Sequence, residues 1–136
     1  MTPTGKWLLK SEPGTYSIHD LKRDGTTTWD GIRNYEARNN LRKMSPGDVA
    51  YIYHSGEDKA IVGVAKIKSA AMDEKGTDGE WSVVELSYDK TSAKPLTLAS
   101  IKANKELANM QFVRRSRLSV SIVTKAEWDA IAALTR

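Results

Sequence analysis

Five short apolar segments without helical spacing constrain the fold of this chain more than any other feature. They cover residues 7–9, 49–53, 61–67, 81–88 and 118–123. Apolar, aromatic and β-branched residues in segments this short, bounded by turn residues, favour strands over helices. The chain is therefore predicted to build its core on a β-sheet.

Helix-capping residues predict helices around this sheet. Ser17 is followed three residues later by Asp20, Asn34 precedes a short run of helix formers, and Thr124 is followed three residues later by Glu127. A side-chain oxygen at such a position accepts a hydrogen bond from the first turn of a helix. The predicted helices run over residues 17–23, 34–43, 97–103, 106–110 and 124–134, the last with Trp128, Ile131 and Leu134 on one face.

Strands in the middle of the chain and helices towards its ends indicate an α+β domain on a mixed, barrel-like sheet. Residues 1–5 are predicted as a loose end and residues 73–80 as a polar loop. Because the chain has 136 residues and shows no repeat and no linker, it is predicted to form a single domain over residues 1–136.

Composition excludes several classes of function. The chain has no cysteine, which excludes disulfides and cysteine nucleophiles. With no cysteine and only two histidines, it has too few of the usual ligands to favour a transition-metal site. The longest apolar run, Ala60–Ala65, is far shorter than the about 20 residues of a membrane-spanning helix. We therefore expect a soluble, intracellular, cytoplasmic protein without metal or cofactor. The net charge of +4 favours an anionic partner, although a solvated basic surface gives the same total.

The segment from Trp29 to Asn34 places a large aromatic side chain directly before a turn and a helix start. Asp30-Gly31 is a turn signal in which the glycine adopts a positive φ. A tryptophan at this place is expected at a rim, with one ring face free to stack on a flat ligand. The alternative is that Trp29 lies in the core, as most large aromatic side chains do.

Three further segments carry polar groups at strand ends, where binding sites collect. They are Lys10-Ser11-Glu12-Pro13, Tyr53-His54-Ser55-Gly56 and Arg114-Arg115-Ser116-Arg117-Leu118-Ser119. Together with Trp29 and Asn34 they offer a stacking ring, hydroxyls, an imidazole, an amide and guanidinium groups. This set of groups is suited to hold one nucleobase and its phosphates.

The adjacent residues His54 and Ser55 also suggest a nucleophile and its base. Neighbours on a strand point to opposite faces, so the two side chains pair only if the strand ends before them. The sequence shows neither a third orienting carboxylate at recognisable spacing nor a Gly-x-Ser-x-Gly elbow. A small hydrolase or nucleotide-processing enzyme that uses His54 with Ser55 or Glu12 is the alternative to a binding module. A protein-interaction module using the same groove is a third hypothesis.

The motifs of this chain closely resemble those of the EVE domain family, which has a PUA-like fold. Residues 6–13, 29–39, 44–48, 53–55, 61–63 and 116–120 carry the resemblance. It implies an α+β, PUA-like twisted mixed β-barrel flanked by short helices, and a module that binds nucleic acid and admits a modified base, chiefly a 5-substituted cytosine. By position, the residues on the segments that form this aromatic-walled pocket are Ser11, Trp29, Asn34, His54, Ser55, Ser116, Leu118 and Ser119.

Charged residues complete the predicted site. Glu12 is interpreted as an acceptor for a base amine, or alternatively as a helix cap or a solvated turn residue. The predicted phosphate contacts are Lys10, Arg33, Arg114, Arg115 and Arg117, and the three clustered arginines can equally form a plain charged surface. We therefore expect a monomeric, non-catalytic protein whose partner is DNA or RNA with a modified base.

Overall fold

The computed structural model describes residues 5–136, which form a curled, mixed β-sheet with five short helices. The strands are β1 (Lys6–Ser11), β2 (Thr26–Trp29), β3 (Val49–His54), β4 (Ala60–Ile67), β5 (Met72–Asp73), β6 (Ser82–Thr97) and β7 (Val120–Ile122). The helices are α1 (Ile18–Asp24), α2 (Tyr35–Arg42), α3 (Leu98–Ala103), α4 (Gln111–Arg114) and α5 (Lys125–Leu134).

The strand order is β2-β6-β4-β3-β1-β7, with β5 paired to β6 outside this path. Among the strands of residues 5–136, only β1 and β3 pair in parallel, and the other pairs are antiparallel. Register shifts between β4 and β6 bend the sheet, since a bulge increases the local twist. The sheet curls into a half-barrel with β2 and β7 at its edges, which confirms the predicted α+β, PUA-like fold.

Both faces of the sheet are buried by helices. Trp7 of β1 lies in one apolar cluster, where Ile18 of α1 and Leu41 of α2 also pack. The next residue, Leu8, lies in a second cluster with Ile131 of α5, because successive strand residues point to opposite faces. The sheet is thus the shared middle layer, and its strand ends remain available for a site.

Gly63 of β4 lets α1 lie close to the sheet. A Cβ atom at this position would be 2.6 Å from Ile18 Cδ1 and 2.6 Å from the Lys90 carbonyl oxygen. Both distances are too short for ordinary contact, so a larger residue would displace α1 or β6. The backbone of Gly63 therefore fixes the distance between α1 and the sheet.

Capping residues place the helices as predicted. Ser17 and Thr124 each form a capping box, and the Asn34 side chain accepts a hydrogen bond from the Ala37 N–H at 2.9 Å. All five apolar segments contain strands, although the final one is confined to Val120–Ile122. The helix starts and the strand positions are therefore local properties of the sequence.

Several predicted elements differ from the structure. Residues 106–110 were predicted to be helical, which is wrong: they form successive turns, and α4 begins only at Gln111. The Asn104 side chain accepts a hydrogen bond from the Glu106 N–H at 2.8 Å, a local bond that competes with a helix. Strands β2 and β5 have no counterpart in the prediction, and β6 continues to Thr97, beyond the predicted residue 88.

The apolar face predicted for the terminal helix is also only partly correct. Ile131 is fully buried, whereas Leu134 is 43% exposed. At 3.6 residues per turn, Leu134 lies about 120° around the helix from Trp128, so the three residues do not share one narrow face. Of the loose end predicted over residues 1–5, residues 1–4 lie outside the described residues. Throughout residues 5–136, each helix is too short or too polar to span a bilayer.

Candidate nucleic-acid interface

A cavity of about 590 Å³ opens at the ends of β1 and β2, and we call it the aromatic cavity. Its volume lies in the range of small-molecule sites. Its lining contains the predicted residues Lys10, Ser11, Glu12, Trp29, Arg33, Asn34 and Ser119, together with Thr15, Tyr16, Thr27, Thr28, Asp30, Gly31 and Ile32.

Two long-range contacts assemble this cavity. The Lys10 N–H donates to the Ser119 carbonyl at 2.9 Å, which brings the segment before β7 to the end of β1. The buried Asn40 side chain of α2 donates to the Val120 carbonyl at 2.8 Å. This bond holds α2, and therefore Asn34 at its N-terminus, beside β7. Asn40 was not predicted, because nothing in the sequence shows that its partner lies on β7.

Trp29 forms a half-buried wall of the cavity. It ends the edge strand β2, and Tyr16 contacts it with ring planes at 82° and centroids 6.3 Å apart. The Tyr16 hydroxyl in turn donates to Asp24 Oδ2 at 2.8 Å, which holds that ring in place. Within residues 5–136, no aromatic ring stacks in parallel on Trp29. The side chain is therefore oriented by packing without being covered by another ring.

The polar side chains of the cavity differ in which hydrogen-bonding groups remain free. The Asn34 Oδ1 atom accepts the Ala37 N–H, so the Asn34 amide Nδ2 group remains as a donor. The Ser11 hydroxyl donates to the Tyr16 carbonyl. Among residues 5–136, neither the Ser119 hydroxyl nor the Glu12 carboxylate has a side-chain partner. The cavity thus offers an amide donor, a hydroxyl and a carboxylate acceptor.

Glu74 holds the rim of the aromatic cavity. Its Oε1 atom accepts the Gly31 N–H at 3.0 Å and a hydrogen bond from Arg33 Nη1 at 3.1 Å. The hydrogen bonds from Arg33 and then from Gly31 lower the pKa of Glu74. Gly31 has a φ of 74°, a conformation that glycine adopts at little cost. Sequence analysis placed Glu74 in a polar loop, where no local signal indicates this contact.

His54 lies outside the aromatic cavity. It is 3% exposed, its Nε2 atom accepts the Ile18 N–H at 3.0 Å, and its Nδ1 atom lies 3.1 Å from Asp58 Oδ2. Because Nε2 accepts, the ring proton is on Nδ1 and is donated to Asp58. His54 thus caps the first turn of α1 from the end of β3, and the structure does not bring it together with the predicted base pocket.

Ser55 and Ser116 line a second cavity of about 270 Å³, which we call the lysine cavity. Three lysines surround it, and Lys10 belongs to both cavities. The parallel pairing of β1 with β3 places the two cavities side by side, because Ser11 is opposite His54 in the register. The remaining lining residues of the lysine cavity are Tyr53, Gly56, Lys59, Leu98, Lys102, Phe112 and Val113.

The clustered arginines border a third, polar cavity of about 300 Å³ beside Asn34. Arg115 pairs with Glu36 of α2, and Arg114 Nε donates to the Asn109 carbonyl at 2.9 Å. Arg117 has no ion-pair partner within residues 5–136. Leu118 is 3% exposed and packs in the core, so it does not line the aromatic cavity. Residues 5–136 also contain no cluster of three or more histidine, aspartate or glutamate residues able to hold a metal ion.

Comparison with known proteins relates this arrangement to a family. Thymocyte nuclear protein 1 from Gallus gallus is 34% identical over 94% of this chain and 67% of its own length. A crystal structure from Pseudomonas putida is 40% identical, with a TM-score of 0.88 over 96% of this chain and 99% of that chain.

A crystal structure of human THYN1 in complex with DNA that contains 5-methylcytosine is 32% identical to this chain. It has a TM-score of 0.88 and covers 96% of this chain and 97% of that chain. The family model for the EVE domain matches residues 6–134, almost the entire described fold. The chain therefore belongs to the EVE domain family.

Proposed function

We propose that this protein is a non-catalytic reader that binds a 5-substituted cytosine of a nucleic acid in the aromatic cavity. The observation that carries the proposal is Trp29, which is held at the wall of a cavity of suitable size without a stacked partner. A relative of known structure binds DNA that contains 5-methylcytosine, which supports the same ligand class here. The net charge of +4 is consistent with an anionic partner.

The free polar groups of the cavity match cytosine better than thymine. Cytosine carries an exocyclic amine that donates hydrogen bonds, and a carboxylate such as Glu12 accepts from this group. The Asn34 amide group, whose oxygen is occupied at the helix start, is a donor for an acceptor atom of the base. Thymine presents an oxygen in place of the amine and would meet the Glu12 carboxylate unfavourably.

Energetics require contacts beyond the stacked base. Removal of a base from a duplex costs a few kcal/mol, and stacking on an aromatic ring returns about 1 to 3 kcal/mol. A methyl or hydroxymethyl group in a fitted pocket adds about 1 to 3 kcal/mol of preference. Hydrogen bonds to the base edge and contacts to phosphates therefore have to supply the remaining affinity.

A binding panel tests the ligand class. Short oligonucleotides with one cytosine, 5-methylcytosine, 5-hydroxymethylcytosine or thymine are compared in DNA, and their counterparts in RNA, by fluorescence anisotropy. We expect 5-substituted cytosines to bind more tightly than both cytosine and thymine. Thymine is the matched control, because it has the same methyl group as 5-methylcytosine and differs in the exocyclic group. Equal binding of thymine and 5-methylcytosine would refute the cytosine-specific interpretation of Glu12.

Two tryptophan variants test the position of the site. Trp29→Ala is expected to lower affinity for the preferred oligonucleotide by about 1 to 3 kcal/mol, because its ring stacks on the base. Trp81→Ala is the control: Trp81 is also half-buried but stacks on Tyr35, outside the aromatic cavity. Circular dichroism checks that both variants fold. If the Trp29→Ala protein folds and binds as tightly as the native protein, the base-binding site lies elsewhere.

The hydrolase hypothesis is less favourable because both ring nitrogens of His54 are engaged with Ile18 and Asp58. Mass spectrometry after prolonged incubation with modified oligonucleotides and simple esters is expected to show no new product. A His54-dependent product would overturn the proposal. The predictions of a monomeric state, of a cytoplasmic location and of RNA as a ligand stay predictions.

A further inference from the structure

The charged residues that line the lysine cavity are all positive, and base binding in the aromatic cavity gives them no role. Its lining contains Lys10, Lys59 and Lys102 and no aspartate or glutamate. Neither Lys59 nor Lys102 has an ion-pair partner within the described part of the chain. The Glu12 carboxylate belongs to the lining of the aromatic cavity and lies against Gly56 at the border of the two cavities. Three lysines thus line one small cavity, which favours an anionic occupant.

Lys10 connects this cavity to the aromatic cavity. Its Nζ atom donates to the Ser116 carbonyl at 2.8 Å and lies 5.8 Å from the centre of the Phe112 ring. Partial burial lowers the pKa of Lys10, since a charged amine loses hydration there. Within residues 5–136 the ammonium group has a carbonyl partner but no counter-ion, so hydrogen-bonding capacity remains for an anion that spans both cavities.

Lys59 is held in an unusual backbone conformation. Its φ is 42°, in the left-handed region that residues other than glycine adopt at a cost. The strain is local, and the Lys59 carbonyl accepts the Leu98 N–H at 2.8 Å, which fixes the turn before β4 to the start of α3. Lys59 and Lys102 of α3 are therefore placed around one cavity by a constrained connection rather than by a free loop.

We propose that the lysine cavity binds the phosphodiester and sugar of the nucleotide next to the base in the aromatic cavity. The proposal rests on the proposed function. Lysine ammonium groups bind phosphate as point charges and position a strand without reading its sequence. The apolar side chains of Leu98, Phe112 and Val113 form the part of the lining that suits a sugar. A neighbouring nucleotide is the occupant that uses both the charge and the shared wall at Lys10.

The test compares two double variants with the same change of charge. Lys59→Gln with Lys102→Gln removes two ammonium groups from the cavity. Lys22→Gln with Lys94→Gln is the control, because these exposed lysines line none of the cavities described above. Affinity for modified and unmodified oligonucleotides is measured across a salt series, and binding of the 5-methyl-2′-deoxycytidine nucleoside is followed by NMR.

We expect the cavity variant to lose about tenfold in affinity for both oligonucleotides near 0.1 M salt. The slope of log K against log salt should flatten by about 0.7 to 0.9 for each lost contact. The nucleoside, which has no phosphate, should bind the cavity variant and the native protein equally. The proposal would be overturned if the cavity variant bound oligonucleotides as tightly as the control variant. It would also be overturned if the cavity variant lost as much affinity for the nucleoside as for the oligonucleotides.

Two further results separate this proposal from its alternatives. If native protein binds oligonucleotides without base preference, and affinity still falls in the cavity variant, the phosphodiester site stands and the reader function fails. If a polyglutamate peptide of similar charge binds as tightly as the oligonucleotide and depends on the same lysines, the cavity is a site for acidic peptides and the proposal is overturned.

Discussion

The aromatic cavity and the lysine cavity share a wall at Lys10, yet they differ in whether their other cationic side chains are paired with carboxylates. At the aromatic cavity, Arg33 is held by the Glu74 carboxylate, and nearby Arg115 is paired with Glu36. At the lysine cavity, Lys59 and Lys102 have no ion-pair partner among residues 5–136. One region is held in shape by its charges, and the other leaves its charges available.

This difference indicates that the paired and the unpaired cations have different roles in binding. Paired arginines contribute little net attraction for phosphate, because a phosphate would have to compete with a carboxylate that already satisfies their donors. The Arg33–Glu74 pair instead holds the rim of the aromatic cavity at Gly31, which lowers the ordering cost of binding. Unpaired lysines contribute attraction that is strong at low salt and independent of the base. We therefore expect base preference and salt dependence to be separable by mutation.

The largest effect is expected at His54, which caps α1 from the end of β3. His54→Ala leaves the Ile18 N–H without its acceptor at the start of α1 and should lower the free energy of unfolding by about 1 to 3 kcal/mol. Urea denaturation measures the change. Asp58→Ala is the control, because this partly exposed partner is expected to cost less. If His54→Ala were as stable as the native protein but failed to bind the base, His54 would be a ligand contact and not a structural cap.

A smaller effect is expected at Glu74, which holds the rim of the aromatic cavity and does not line the lysine cavity. Glu74→Ala releases Arg33 and the Gly31 N–H and should weaken binding of the modified base about fivefold, because the rim loses its fixed conformation. Glu80→Ala, which instead removes an acceptor of the Tyr35 hydroxyl, is the control on the same loop. An affinity that rises for all oligonucleotides would show that Arg33 is a phosphate ligand held back by Glu74.

The same contact has a defined pH dependence. The folded-state pKa of Glu74 is lowered, so its stabilising contribution is present above the unfolded value of about 4.3. This contribution is lost as the pH falls through the lower folded-state pKa. The NMR shift of the Gly31 amide should therefore stay constant from neutral pH to about 4.3 and change only below it. A transition near neutral pH would contradict this assignment.

The smallest effect is expected among the arginines. Arg117→Gln removes an unpaired cation and should flatten the salt dependence of log K by up to about 0.7 to 0.9 without changing base preference. Arg115→Gln removes a cation already neutralised by Glu36 and should change the slope less. Anisotropy titrations over a salt series measure both slopes. A larger change in Arg115→Gln than in Arg117→Gln would refute the distinction between paired and unpaired cations.

Much of the fold was predictable because its signals are local. Capping residues such as Ser17, Asn34 and Thr124 lie within three residues of the N–H groups they satisfy. The position of Trp29 beside the turn at Gly31 likewise follows from adjacent residues. The failure at residues 106–110 has a local cause as well, since the Asn104 side chain bonds to the Glu106 N–H in place of a helical turn.

The sequence by itself determined the strand segments, most helix starts and the presence of an aromatic side chain at a turn, because each depends on neighbours a few residues away. Only the tertiary structure decided that His54 caps α1, that Glu74 holds Gly31 and Arg33, and that the basic residues divide among separate cavities. The His54–Ile18 contact joins residues 36 positions apart in the sequence, and the Glu74–Gly31 contact joins residues 43 positions apart. Sheet register and helix packing bring such residues together, and neither is written in the local pattern.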